Sequence, residues 1–263
     1  MAKQLKGEAR RGIKASEAEI ANFADSLDLF LRKNLKKALK KLAANNEGTA
    51  IEAAKLLGGL RSALEEAGLQ EQLSGLNDVY GNELDRITAL LERGLGKTIT
   101  YSEFDIDSLE ALISFDIDRV SSTVGEYVDD VRSTLMKQVI LGESIDVDSL
   151  VDGKSDEIKA RIDTELNTAV AGFSRAINQK KAADAGANKF LYEGPDDGRT
   201  RPFCAERVGK IFTLDEIKSW DNDQGLPAEI YLGGWNCRHR LLAMSDELAS
   251  ELNGGDNTGQ DSL

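Results

Sequence analysis

Cys204, Cys237 and His239 are the chain's two cysteines and its single histidine, and they fall in one short stretch. Thiolates and an imidazole are good ligands for a borderline-soft metal. The Cys-x-His spacing at 237/239 points two of them to one side of an extended strand, where side chains alternate with a period of two. Together with Cys204 they supply three zinc ligands. A closed structural zinc site takes four, so the fourth would be Asp196, Asp197, Glu206 or water. Two other readings stay open on the same residues: buried thiols packed in a small core, or a disulfide closing the loop from 204 to 237. A lone histidine excludes mechanisms that need two, including most hydrolytic zinc sites and paired-histidine relays.

Asp197, Thr200 and Arg201 form a second group. Aspartate accepts backbone N–H bonds in a turn, and arginine returns a bidentate bond to a carboxylate. No activated nucleophile accompanies them, so a structural turn is preferred to an acid–base pair. Gly194-Pro195-Asp196-Asp197-Gly198 is glycine-bearing but lacks the Gly-Lys-Ser/Thr ending and the following helix of a phosphate loop. A third group is basic: Arg32, Lys33, Lys36, Lys37, Lys40 and Lys41. Through residue 41, eleven lysines and arginines face five acidic residues, a net +6, so the rest of a chain of net charge −13 carries −19. These residues are either a solvated helix face or a contact for DNA or an acidic protein surface. Aromatic stacking platforms are absent beside them, which argues against single-strand binding.

These groups sit in 263 residues, enough for one large or two modest domains with a real core. The pI of about 4.7 excludes coating of nucleic acid by the whole surface. No apolar run approaches the roughly 20 residues of a membrane span. The basic N-terminus has no apolar segment behind it, as a signal peptide would. Two cysteines do not make a disulfide scaffold, and the usage reads as cytosolic.

Only three prolines occur, so long helices are expected. Ser16-Glu17-Ala18-Glu19 has capping-box form, and behind it Ile20, Phe23, Leu27, Leu31, Leu35, Ala38 and Leu42 step by three and four. Thr49 to Glu52 repeats the capping form. Gly68 marks a left-handed helix end. A third helix runs from about Leu76 to Glu92, and Gly94, Gly96 and Thr98 to Tyr101 break the pattern. A long helix follows from about Asp107 to Leu141, with Leu109, Leu112, Ile113, Val120, Val124, Tyr127, Val131 and Leu135 on its stripe. Phe104-Asp105-Ile106-Asp107 is echoed by Phe115-Asp116-Ile117-Asp118. An acidic segment from Ile145 to Gly153 leads into a helix carrying Ile158, Ile162, Leu166, Phe173 and Ile177, ending near Gly186. After that, periodicity is lost, and all three prolines, both tryptophans and both cysteines appear. Lys189 to Tyr192 and Arg238 to Met244 read as short strands, and Thr213-Leu214-Asp215-Glu216 as a cap. The expected fold is mainly α, an elongated helical bundle followed by a compact α+β module that contains the Cys/His group. The expected organisation is a helical region at 1–100 with a basic first helix, long helices at 101–188, the module at 189–245 and a disordered acidic tail at 246–263.

Three segments carry a family resemblance: Asp197-x-x-Thr200-Arg201-x-x-Cys204, then Gly209-Lys210-x-Phe212, then Asn236-Cys237-Arg238-His239. In this order they resemble the C-terminal domain of the phage head-morphogenesis family, the phage Mu F-like minor head proteins. The resemblance covers about residues 105–245. It implies structural roles for Asp197, Thr200, Arg201, Gly209, Asn236 and Arg238. It also implies a non-enzymatic virion protein, resident in the head and in host cytoplasm during assembly. Such a protein would associate with portal and major capsid proteins, help package or deliver double-stranded DNA, and self-associate. A metal-dependent nuclease or toxin-like effector is the enzymatic alternative. Zinc is the cofactor that the Cys/His group would take.

Overall fold

The structure is a computed structural model and describes residues 2–44, 57–143 and 146–255. The expected cap at Thr49 lies outside them. In chain order the elements are α1 (Ala2–Ala44), α2 (Leu60–Glu66), α3 (Leu69–Ser74), α4 (Leu76–Leu95), α5 (Glu103–Leu141) and α6 (Val147–Asp184). There follow β1 (Lys189–Glu193), α7 (Pro202–Ala205), β2 (Ile211–Thr213), α8 (Leu214–Lys218), α9 (Ala228–Tyr231), β3 (Arg240–Met244) and α10 (Asp246–Gly255). Long helices precede a small three-stranded sheet, as the periodicity and the clustering of proline, tryptophan and cysteine predict.

Three local expectations are corrected. Ser16 does not begin a helix, because α1 already starts at Ala2. Leu5, Ala9 and Ile13 continue the buried stripe upstream, in phase with Ile20, Leu27, Leu31 and Leu35, so Ser16 is simply a buried member of it. The acidic segment before Ile158 is already helical from Val147. Asp146 caps it by accepting from the Ser149 N–H at 3.1 Å and the Ser149 hydroxyl at 2.7 Å. The expected tail at 246–263 begins instead with a helix, α10, which buries Leu248 and Ala249; residues 256–263 lie outside the described chain.

The chain divides into two compact units. The first comprises residues 1–19, 79–110 and 166–263. Its sheet has the order β2-β1-β3, antiparallel throughout. Phe190 pairs with Phe212 on one side of β1 and with Ala243 on the other. β3 is buried along its whole length, so its apolar run is continuous rather than alternating. Leu5 and Ala9 from the start of α1 share a core with Leu191, Leu242, Met244, Leu248 and Ala249. Tyr80 and Phe173 add an edge-on aromatic pair at 4.9 Å.

The second unit comprises residues 20–78 and 111–165 and is built from helices. Its core takes Phe23, Leu27 and Leu31 from α1, Leu64 from α2, Leu73 from α3, Val124, Val131 and Leu135 from α5, and Ile158 and Ile162 from α6. The Tyr127 hydroxyl donates to the Val151 carbonyl at 3.0 Å. Leu112, expected on the buried stripe, is instead exposed, as are Phe115, Ile140 and Leu141.

Candidate metal centre

Each of the three soft ligands comes from a different local device. Cys204 lies in α7, a single turn opened by Pro202 at its first position, where a missing N–H costs nothing. Cys237 follows Asn236, which adopts the left-handed conformation with φ of 54°, and whose N–H donates to the Thr168 hydroxyl at 2.8 Å. His239 stands immediately before β3. The chain reversal at 233–236 and the strand together bring the Cys-x-His pair against α7. Trp220 packs edge-on against Tyr192, Phe203 and Phe212 and supplies the module's aromatic centre.

The result is a buried cluster in which one ligand atom from each of Cys204, Cys237 and His239 lies within 4.8 Å of the others. The two sulfurs are 3.8 Å apart, and both thiols are free. Cys237 Sγ is 3.7 Å from His239 Nδ1. A tetrahedral centre with metal–sulfur bonds of ~2.3 Å and a metal–nitrogen bond of ~2.0 Å spaces two sulfurs by ~3.8 Å and sulfur from nitrogen by ~3.5 Å. The cluster fits a metal on these distances. It fits on proton positions too. His239 Nε2 is 2.9 Å from the Pro195 carbonyl, which can only accept, so Nε2 carries the hydrogen and Nδ1 presents its lone pair to the thiols. Metal-bound histidines characteristically donate their other N–H to a carbonyl or carboxylate in this way.

Electrostatics point the same way. The Cys204 thiol bonds to Cys237, and this bond, together with His239 and the nearby Arg175 cation, holds Cys237 toward the thiolate; the same bond and burial push Cys204 up. Arg175 is fully buried on α6. It donates from Nη2 to the carbonyls of Cys237 and His239, both at 2.7 Å, and from Nη1 to that of Ile230 at 2.7 Å. It thereby clamps the backbone that carries two of the three ligands. Burial lowers its own pKa. Two glycines let the backbone close on the cluster: a Cβ on Gly233 would stand 2.4 Å from Cys204 Sγ, and one on Gly194 would stand 2.4 Å from the His239 ring.

Around this centre the other motif residues are tied to one another. Arg238 forks onto Asp197 at 2.8 and 2.5 Å, and holds its carboxyl well below the usual range. Thr200 donates from its hydroxyl to the Pro195 carbonyl at 2.9 Å and accepts from the Asp197 N–H at 3.0 Å. Arg201 donates to the Trp235 carbonyl at 2.8 Å. Gly209 has a positive φ of 81° and donates its N–H to the Tyr192 carbonyl at 2.8 Å. Of the carboxylates proposed as fourth ligand, none joins the cluster: Asp196 and Asp197 are exposed, and the Glu206 side chain is 75% exposed beside Arg207.

The basic residues on α1 are elsewhere, in the second unit, and three of them are paired. Arg32 reaches Asp152 at 2.8 Å, Lys36 reaches Asp152 at 2.7 Å, and Lys40 reaches Asp148 at 2.9 Å. Lys33 and Lys37 are exposed. The side chain of Lys41 lies outside the described residues.

Arg175, Tyr192, Gly194 and Gly233 escape the sequence reading as site residues. Arg175 carried one signal: it interrupts Thr168 to Ser174, a run with no charge inside a helix, where a lone arginine implies a buried polar partner. No protein-family model matches the chain, and neither curated proteins nor solved structures offer a match.

Proposed function

We propose that this chain is a structural minor head protein of a tailed bacteriophage, acting by binding during head assembly and DNA packaging or delivery. In this reading its partners are the portal and major capsid proteins and further copies of itself. The observation that carries it is the internal use of the motif. Asp197, Thr200, Arg201, Arg238 and His239 bond within the module, around a centre whose ligands are 1–3% exposed. Side chains committed in this way support a scaffold, whereas a nuclease or effector would present a metal vertex to solvent. Exposed Leu112, Phe115, Ile140 and Leu141 on α5 support docking through the helical part.

The metal in this reading is Zn(II). Two thiols and an imidazole suit it over hard cations, and burial of all three makes its role structural. Purified virions analysed by mass spectrometry should contain the chain at a fixed copy number, and it should co-purify with portal. A particle that lacks the chain, or DNA cleavage by the purified protein with divalent metal that Asp197→Ala abolishes, would replace this reading with the enzymatic one.

A further inference from the structure

Three protein ligands leave one vertex of a tetrahedral centre without an owner, and a structural zinc site fills all four. The carboxylates nearest in sequence do not join the cluster. Free solvent is also kept out: Cys204, Cys237 and His239 are 1%, 3% and 2% exposed. Among the described residues, one buried hydroxyl stands beside the cluster. The Tyr192 side chain on β1 is fully buried, and its hydroxyl has no hydrogen-bond partner of ordinary geometry. Its ring lies beside the His239 ring, with centroids 5.2 Å apart, and its hydroxyl has the Cys204 thiol as its polar neighbour. A buried hydroxyl with no well-formed hydrogen bond costs up to about 1–3 kcal/mol, so its retention beside the Cys204 thiol asks for a reason.

We infer that the Tyr192 hydroxyl oxygen is the fourth ligand of the Cys204–Cys237–His239 centre, which makes the site a closed set of two thiolates, one imidazole and one phenolate. The inference rests on the metal reading above. Charge supports it independently. Arg175 is a buried cation whose hydrogen-bond acceptors are backbone carbonyls, not carboxylates. An isolated buried charge is costly. Two thiolates cancel a dication and leave Arg175 unbalanced; a phenolate on the metal brings the buried group of metal, ligands and guanidinium to neutrality. The exchange is simple: the metal ion enters, Sγ–metal, Nδ1–metal and Oη–metal bonds form, and the thiol and phenol protons leave to buffer. No electron is transferred.

The test uses the full chain stripped of metal and titrated with Zn(II). Metal addition should raise the near-ultraviolet difference absorption of tyrosinate in step with binding. Tyr192→Phe should abolish that signal, release one proton fewer per metal bound, and weaken zinc binding at least ~10-fold, the lower end of what losing even an outer-shell partner costs. Tyr192→His should restore affinity without the tyrosinate signal, because it returns a fourth ligand rather than a shape. Tight zinc binding with no tyrosinate signal, and equal affinity in Tyr192→Phe, would overturn the inference and leave the three-ligand metal centre standing. A chain that binds no zinc at all would overturn both.

Discussion

At the scale of single residues, the centre is held by groups that are not themselves ligands. Gly233 is the sharpest case. The Cβ of Gly233→Ala would meet Cys204 Sγ at 2.4 Å, so the sulfur must move from its place beside Cys237. On the proposed zinc reading, this variant should lose metal binding, and it should lose about 1–3 kcal/mol of stability, the usual cost of overpacking, as read by metal titration and urea unfolding. Gly198→Ala, at an exposed position where the added Cβ meets nothing, should leave both unchanged and serves as the control. Arg175→Ala removes the donors to three buried carbonyls. At about 1–3 kcal/mol for each orphaned acceptor, it should cost more than ~3 kcal/mol; a loss below ~1 kcal/mol in urea melts would show that the clamp is not needed. Cysteine and histidine are legible in a sequence because few side chains share their chemistry. Arg175 and Tyr192 are not, because an arginine on a helix and a tyrosine in a strand have many commoner uses, and only the fold sets them beside the cluster.

At the scale of elements, two identical sequence signals had opposite outcomes. Ser16-x-x-Glu19 and Thr213-x-x-Glu216 share the capping-box form. Thr213 does cap α8: its hydroxyl accepts from the Glu216 N–H, and the Glu216 carboxylate accepts from the Thr213 N–H at 2.7 Å. Ser16 caps nothing, because apolar residues continue in phase on its N-terminal side. A capping signal therefore depends on the residues upstream of it as much as on those downstream. The Ser16 hydroxyl is left buried without a partner in mid-helix. Ser16→Ala removes that orphan and improves helix propensity, so it should raise stability by about 1 kcal/mol, visible as a Tm increase of roughly 2–4 °C. A lower Tm would mean that the hydroxyl has a partner in solution. The pairing of α5 with α6 has its own pH signature. Lys181 donates to Asp105 at 2.6 Å, and with the Ser102 N–H and hydroxyl it holds the Asp105 carboxyl well below the ordinary range. A depressed folded pKa contributes stability that is complete above the unfolded value near 4 and is lost as pH falls through the folded one. Thermal melts should therefore drop below about pH 4, and Asp105→Asn should flatten that drop while lowering stability at neutral pH.

At the scale of the whole molecule, composition foretold the helical class and the late sheet, but not how the chain is partitioned. Each compact unit gathers non-consecutive stretches, and α1, α4, α5 and α6 each contribute residues to both. An unbroken apolar stripe carries no mark where a helix changes the core it serves. Leu5 and Ala9 show the consequence: the first turns of the chain lie in the core of the sheet formed by its last third. This bears on how DNA binding must be tested. Deleting residues 1–41 would strip that core, so loss of binding after truncation would report unfolding. Charge reversal at exposed positions is the informative change. Arg32, Lys36 and Lys40 already face Asp148 and Asp152, whose carboxyls they hold below the usual range, so releasing them to phosphates would break existing pairs. Among the described residues, Lys33 and Lys37 carry no such tie. If α1 contacts DNA through them, neutralising two phosphates at about −0.9 each gives a slope of log K against log salt of roughly −2. Against a net charge of −13 such binding should be weak and insensitive to sequence. Lys33→Glu with Lys37→Glu should abolish it at unchanged thermal stability, whereas Asp148→Asn with Asp152→Asn should steepen the slope by freeing the paired cations. A double lysine reversal that binds DNA as well as the parent chain would assign this face to solvent alone.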